Sequence, residues 1–436
     1  MLTKEENDLL CRVEGDAPMG QLMRRHWIPA CLSEELQEPG GAPVPVRLLG
    51  EDLVAWRGPD GRVGLIDRSC PHRRASLVLG RNEDGGLRCL YHGWKMDLNG
   101  GVVEMPSEPP QSGMAQKMRH TAYPTHEHGG FVWAYMGPVE TMPAFAPPPF
   151  APGADTKVSI VKVVVDCNWA QVLEGAIDSA HSSTLHSSDI TPSRVAGTQH
   201  VKGASLIRPS TDKAPRIQVQ PTDYGFKYAA IRRPIQNADK QDYVRMTVYV
   251  APFTALIPPN AQYNSTNVNV PIDDTHTAFH FISWSLTPDG AMDQEEYRKF
   301  FRAQVGIDVD TRYRKLHRNM DNNYGQDRQS MKNGSFTGIG GISNQDIAMW
   351  ETMGPIADRG IERLGASDQA IVEFRRLMVE AAKRFREGGP AIGAIGTTQV
   401  PQARISSFEG MLPKGGEWRH LDTIEAQAAH RAGLQQ

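Results

Sequence analysis

The apolar positions of this chain change their period along its length. Around Met19-Gly20-Gln21-Leu22-Met23-Arg24-Arg25 they recur at helical spacing, behind a Pro18 suited to a first helical turn. From Val44 the period drops to two: Val44-Pro45-Val46-Arg47-Leu48, then Leu53 to Trp56, a turn at Pro59-Asp60-Gly61, and Val63 to Ile66. These runs predict a small all-β module closing on a hairpin-like stretch at Gly129-Gly130-Phe131-Val132-Trp133-Ala134-Tyr135-Met136. The proline-rich run Met142 to Pro152 then ends it, because Pro147-Pro148-Pro149 continues neither a helix nor a central strand. Further on, strands are expected at Val158 to Val165, Asp242 to Val250 and His276 to Ser285, and amphipathic helices at Gln294 to Val305 and Gln369 to Arg386. The strands are not separated by regular helices, so this part reads as α+β rather than as a doubly wound parallel sheet. The expected division is an N-terminal helical arm over 1–38, the β module over 39–145, an α+β domain over 153–410 and a weakly patterned tail over 411–436.

Composition narrows the partners. Lys and Arg number 47 against 50 Asp and Glu, so no basic field is available for nucleic acid or an anionic membrane. The start, Met1-Leu2-Thr3-Lys4-Glu5-Glu6-Asn7-Asp8, lacks the apolar core of a signal peptide. The longest uncharged stretch, Met246 to Ile272, is broken by prolines and asparagines and fails as a membrane helix. Five cysteines make no disulfide scaffold in a chain of 436 residues, and thiolate ligands need a reducing compartment. The expectation is a cytoplasmic protein in which Cys11, Cys31 and Cys167 are free thiols.

Two clusters of metal-ligand residues carry the chemistry. Cys70-x-His72 and Cys89-x-x-His92 are short pairs about 16 residues apart. Two thiolates and two imidazoles match a Rieske 2Fe-2S centre, where histidines replace cysteines on one iron. A zinc ribbon is the competing reading, although it usually chelates with Cys-x2-Cys or His-x3-His units within one loop. The second cluster is Glu174-Gly175-x-x-Asp178-x-x-His181-x4-His186. At about 100° per residue, Glu174, Asp178 and His181 fall within about 60° on one helix face. His186 lies roughly 140° round from His181, so the helix must end or distort near Ser182-Ser183. Two histidines and a carboxylate form the facial triad of non-heme Fe(II), which leaves positions open for dioxygen. The histidine pair does not by itself identify the carboxylate.

Cys70-Pro71-His72-Arg73, Cys89-Leu90-Tyr91-His92-Gly93-Trp94, and Asn168-Trp169 leading into Glu174 to His181 resemble the Rieske non-heme iron oxygenases, most closely the phthalate dioxygenase group. The resemblance runs from Leu2 to about Arg386 and includes Asn344-Gln345-Asp346-Ile347-Ala348-Met349-Trp350-Glu351-Thr352-Met353-Gly354-Pro355. It implies a small Rieske domain and a helix-grip (START-like) α+β catalytic domain, with the cluster on Cys70, His72, Cys89 and His92. It also implies Fe(II) on His181, His186 and Asp346. Asp178 becomes the bridge that carries electrons between subunits of a homotrimer, or of a hexamer stacked from two. Electrons are expected from NADH through a separate flavin and iron-sulfur reductase, since no G-x-G-x-x-G motif in a strand-turn-helix setting is present.

For the substrate, Arg245 shares a strand face with Tyr243 and Thr247, and Arg208 ends the run Ala204-Ser205-Leu206-Ile207-Arg208. A solvated sheet face is the plain reading of either arginine. In an oxygenase cavity, two guanidinium groups suit an aromatic dicarboxylate. The expected reaction is cis-dihydroxylation of phthalate at ring carbons 4 and 5. Alternatives are an isophthalate or substituted-benzoate dioxygenase, an aromatic O-demethylase or monooxygenase, a plain Rieske electron carrier, and a zinc-ribbon binding protein.

Overall fold

A computed structural model describes residues 1–195, 205–287 and 290–434; Ala204, where the run ending at Arg208 begins, lies outside the described residues. The chain divides into two units, Val13–Phe145, and Met1–Arg12 with Ala146–Gln436.

In the smaller unit the period-two runs become an antiparallel meander of Val44–Leu48, Glu51–Arg57 and Val63–Asp67. A second meander runs through Arg81–Glu83, Gly86–Arg88, Lys95–Met96 and Val102–Glu104. A third sheet pairs Trp27–Leu32 with Phe131–Tyr135, which pairs in turn with Thr125–His128. The hairpin at Gly129-Gly130 works because both glycines take positive φ, 60° and 82°, as a two-residue loop matched to strand twist requires. Cys70 and Cys89 are buried in one apolar cluster with Val54, Trp56, Ile66, Leu77 and Trp94.

The residues expected to form an N-terminal arm do not behave as one piece. Helix Lys4–Cys11, capped by Thr3 and Glu6, belongs to the larger unit, where Cys11 O accepts from Asn168 Nδ2 at 2.9 Å. Trp27–Leu32 is instead a sheet strand of the smaller unit. Local periodicity shows that such segments are ordered, but their partners lie far along the chain.

The larger unit is built on one antiparallel sheet. Its order is Lys157–Val165, Thr277–Ser285, Asn264–Pro271, Thr254–Ile257, Gln241–Val250, Gly225–Arg232 and Arg216–Thr222. Helix Trp169–Ile177 packs on this sheet, and helices Ile342–Thr352 and Gln369–Arg386 pack against that helix. This is the expected helix-over-sheet α+β fold. The helix begun at Gln294 stops at Phe300, short of Val305. The supposed tail is structured: Phe408–Pro413 pairs with Gln241–Val250, Ile424–Leu434 is a helix, and Trp418 is buried with its indole N–H on Gln218. Its few apolar residues fill sheet-edge positions that sequence spacing does not reveal.

Candidate metal centres

Both loops bearing the Cys/His pairs are closed in the same way. Arg74 N donates to Cys70 O at 2.9 Å, and Gly93 N donates to Cys89 O at 3.1 Å. The closing residue is left-handed in each, with φ 61° at Arg74 and 75° at Gly93. A Cβ at Gly93 would also meet Pro106 Cγ at 2.6 Å, so glycine is required there on two counts. The turns bring the His72 and His92 rings to 4.3 Å, and Trp94 stacks on His72 at 4.7 Å.

The donor set suits a binuclear cluster. Nδ1 of His72 and Nδ1 of His92 are both buried without a hydrogen-bond partner, an arrangement that costs free energy unless something accepts their coordination. Burial pushes the Cys70 thiol up to about 11, and a bound iron would supply the charge that favours its thiolate. Among the described residues, His181, His186 and Asp346 form the one group that brings three potential donor atoms within 4.8 Å. The four Rieske-type ligands do not converge in this manner. A single tetrahedral zinc needs such convergence, whereas ligands split between two irons do not.

The second centre depends on a helix that ends early. Asn168 caps Trp169–Ile177 by accepting from Ala170 N at 3.0 Å. The helix stops at Ile177, and Asp178 takes an extended conformation (φ −87°, ψ 114°). His181 begins a separate 3-10 turn, His181–Ser183. Glu174, Asp178 and His181 therefore do not share one continuous helix face. Asp178 nevertheless approaches His181, with Oδ2 3.4 Å from Nδ1, while its Oδ1 accepts from Ala180 N at 2.7 Å. Burial works against ionisation of Asp178, but the His181 hydrogen bond and charge outweigh it and hold this carboxyl below its usual range.

Glu174 is engaged elsewhere. Its Oε1 receives Arg359 Nε at 2.8 Å and Arg375 Nε at 2.7 Å, both deep in the unit. Burial opposes its charge, yet the two guanidinium groups keep the carboxyl below its usual range. Glu174→Gln would leave two buried cations short of a counter-charge and is expected to cost about 3–5 kcal/mol. Urea unfolding followed by tryptophan fluorescence checks this; an unchanged midpoint would show that the ion cluster contributes nothing.

Asp346 arrives from helix Ile342–Thr352, and its Oδ1 lies 3.5 Å from His181 Nε2 and 3.1 Å from His186 Nε2. Gly175 makes this approach possible: a Cβ there would stand 2.1 Å from Nε1 of Trp350, one turn after Asp346. Gln345 orients the other histidine, its Oε1 2.8 Å from His186 Nδ1 and its Nε2 donating to Asp189 at 2.9 Å. Such outer partners fix ring orientation and tautomer in metal sites. Gln345 entered the sequence reading only as a neighbour of Asp346, without a role, because an isolated glutamine carries no spacing signal. Burial lowers the basicity of His186, but Asp346 and Gln345 reverse the effect and raise it. These three side chains fit one hard-to-intermediate metal ion with open positions.

A cavity of about 110 Å³ adjoins the triad. Arg208 and Arg245 both line it, as do Phe279, Phe281 and Phe301. Arg208 is 4% exposed and Arg245 5%. Neither has a carboxylate within ion-pair distance among the described residues, and each keeps a buried Nε without a partner. Arg208 donates to Ser182 and Ser183, whereas Arg245 donates to the carbonyls of Pro258 and Pro259. Burial, then repulsion from Arg245 and Arg232, pushes Arg208 down to about 9, which still leaves it cationic at neutral pH. Arg232, absent from the sequence reading, is the third cation of this group.

Comparison with known proteins agrees with this geometry. Residues 26–124 match the Rieske [2Fe-2S] domain model and residues 134–436 the LigXa C-terminal domain like model. The phthalate 4,5-dioxygenase oxygenase subunit of Pseudomonas putida is 63% identical, over 96% of this chain and 94% of that one. The 3-chlorobenzoate-3,4-dioxygenase oxygenase subunit of Comamonas testosteroni is 37% identical over 100% and 99%. Among solved structures, NdmA of Pseudomonas putida CBB5 with caffeine superposes with a TM-score of 0.60 at 17% identity, over 88% of this chain and 97% of that one. The likeness to NdmA establishes the shared fold. On these matches the chain belongs to the Rieske non-heme iron ring-hydroxylating oxygenases, which carry a 2Fe-2S cluster and a mononuclear iron and draw electrons from a separate reductase.

Proposed function

We propose that this chain is the oxygenase component that cis-dihydroxylates phthalate at ring carbons 4 and 5. The observation that carries the substrate is the pair of buried guanidinium groups, Arg208 and Arg245, in the cavity beside the triad. Among the described residues these two cations have no carboxylate within ion-pair distance, with Glu409 acting on Arg208 only from further off, a costly arrangement that a dianionic ligand relieves. The activity of the Pseudomonas putida relative points to the same chemistry.

We assign the cluster to Cys70, His72, Cys89 and His92, and the iron to His181, His186 and Asp346. When bound, these groups supply electron delivery and oxygen activation. The chain's residues do the rest. Arg208 and Arg245 hold the two carboxylates through charge-assisted bonds and thereby fix which ring edge faces the triad. Phe279, Phe281 and Phe301 pack the ring and exclude water. Asp178 orients His181 through Nδ1 and offers a short polar route toward the cluster's histidines on a neighbouring subunit.

This reading includes a cytoplasmic homotrimer, or a hexamer of two stacked trimers, served by an NADH-dependent flavin and iron-sulfur reductase. For the compartment its support is physical: all five cysteines are buried and outside any disulfide, and among the described residues no helix is long and apolar enough to cross a membrane.

Arg208→Gln or Arg245→Gln is expected to weaken phthalate binding by about 1.5–3 kcal/mol, the range for hydrogen bonds to charged groups, and benzoate binding by less. Lysine should rescue poorly because it lacks the bidentate fork. Steady-state kinetics with product analysis tests both site and substrate. Unchanged Michaelis constants for phthalate in both variants would remove these arginines from the site, and the absence of a cis-dihydrodiol would remove the reaction.

A further inference from the structure

Two arginines grip the turn that follows His181. Arg208 Nη1 donates to Ser183 Oγ at 3.0 Å and Nη2 to Ser182 Oγ at 2.9 Å. Arg232, 1% exposed, donates through Nη2 to Ser179 O at 2.7 Å and to Ser183 Oγ at 3.3 Å, and through Nη1 to Ser179 Oγ at 3.3 Å. The Ser183 hydroxyl is therefore shared between two guanidinium groups. The turn transmits what happens to it, because Thr184 N and Leu185 N both donate to His181 O, at 2.9 and 2.8 Å. A shift of Ser182 and Ser183 bears on His181 directly.

The two grips differ in character. Arg232 is also tied through Nε to Asp212 O at 3.3 Å and does not line the cavity, so an incoming molecule leaves it in place. Arg208 lines the cavity and keeps its Nε unpartnered. Its bonds to neutral hydroxyls are the exchangeable ones.

We propose that Ser182 and Ser183 couple anion binding at Arg208 to the placement of His181. A carboxylate docking on Arg208 draws its Nη donors off the two hydroxyls, and the turn settles on Arg232 alone. The exchange runs toward the anion because charge-assisted bonds are about twice as strong as neutral ones. The proposal rests on the carboxylate-binding reading above. Coupling is reciprocal: if the anion loosens the turn's grip on Arg208, removing that grip must tighten anion binding.

The test uses the full chain with its cluster kept oxidised and Co(II) in the mononuclear site. Phthalate is the anion, read by Co(II) electron paramagnetic resonance and by calorimetry. In the wild type, phthalate should change the Co(II) signal. In Ser182→Ala/Ser183→Ala, phthalate should bind about 5-fold tighter, at the low end of typical coupling, and the signal should respond less than in the wild type, leaving only the direct effect of a ligand beside the metal. A double variant whose signal responds as fully as the wild type overturns the proposal, and so does a wild type that binds phthalate with no change in signal. Arg208→Gln supplies an arm without ligand: its Co(II) signal should differ from the wild type before any anion is added, and an identical signal overturns the coupling even if the double variant fails to fold. Absence of phthalate binding to the wild type sinks the substrate reading alone, and the Arg208→Gln spectrum then decides the coupling.

Discussion

Cys70→Ala is expected to abolish the red-brown colour of the purified protein, whereas His181→Ala should keep that colour and lose one iron per chain together with all turnover. The wild type should carry about three irons, two in the cluster and one in the mononuclear site. The separation follows from the two donor sets. Cys70 sits in the apolar core of the smaller unit, and its thiolate has no substitute among the neighbours of that cluster. His181 is one of three donors within 4.8 Å, and its loss leaves His186 and Asp346 alone. Iron analysis, the visible spectrum and product formation read the three quantities independently. Full activity in His181→Ala would displace the mononuclear site, and a colourless wild type holding zinc would return the Cys/His pairs to a structural role.

Asp178→Asn is expected to retain both metals and lower product formation by at least about 100-fold, the upper end of effects for residues that orient metal ligands. The change keeps shape and the Ala180 N–H bond to Oδ1, but it removes the charge 3.4 Å from His181 Nδ1. The Asp178 carboxyl lies below its usual range, with His181 the main force acting against burial, so it is ionised at neutral pH. Single-turnover kinetics with a pre-reduced cluster isolate electron transfer from substrate binding. Near-normal transfer in this variant would remove the bridging role.

How much of this was legible in the chain depended on the range of the interactions involved. The paired turns at Cys70 and Cys89, the Gly129-Gly130 hairpin and helix Gln369–Arg386 are local structures, set by residues within a few positions of one another, and they follow the spacing. The extent of the metal-bearing helix did not. Apolar and acidic spacing suggested a helix reaching Ser182-Ser183, yet it stops at Ile177, whose carbonyl is taken by Tyr228 Oη at 2.5 Å. That contact comes from the sheet and leaves no trace in the helix's own residues.

The sequence by itself determined the types of donor available: two Cys/His pairs of the kind a cluster uses, and two histidines spaced closely enough to share one metal ion. Spacing left open which acidic groups serve those histidines; the family resemblance named Asp178 and Asp346, and the tertiary structure gives the physical reason both stand within 3.5 Å of a histidine nitrogen. Glu174 and Asp178 stand four positions apart, but Arg359 and Arg375 claim Glu174, and Asp178 is left to His181. Asp346 reaches the site because Gly175 lets Trp350 approach, and Arg208 and Arg245 meet at the cavity although Arg245 is on the main sheet and Arg208 on a separate pair of strands, Leu206–Arg208 with Ile190–Pro192. The physical reason is common to all of these. Ligand type and turn geometry are encoded in neighbouring residues, while the burial and pairing of a charge depend on groups brought together across the fold.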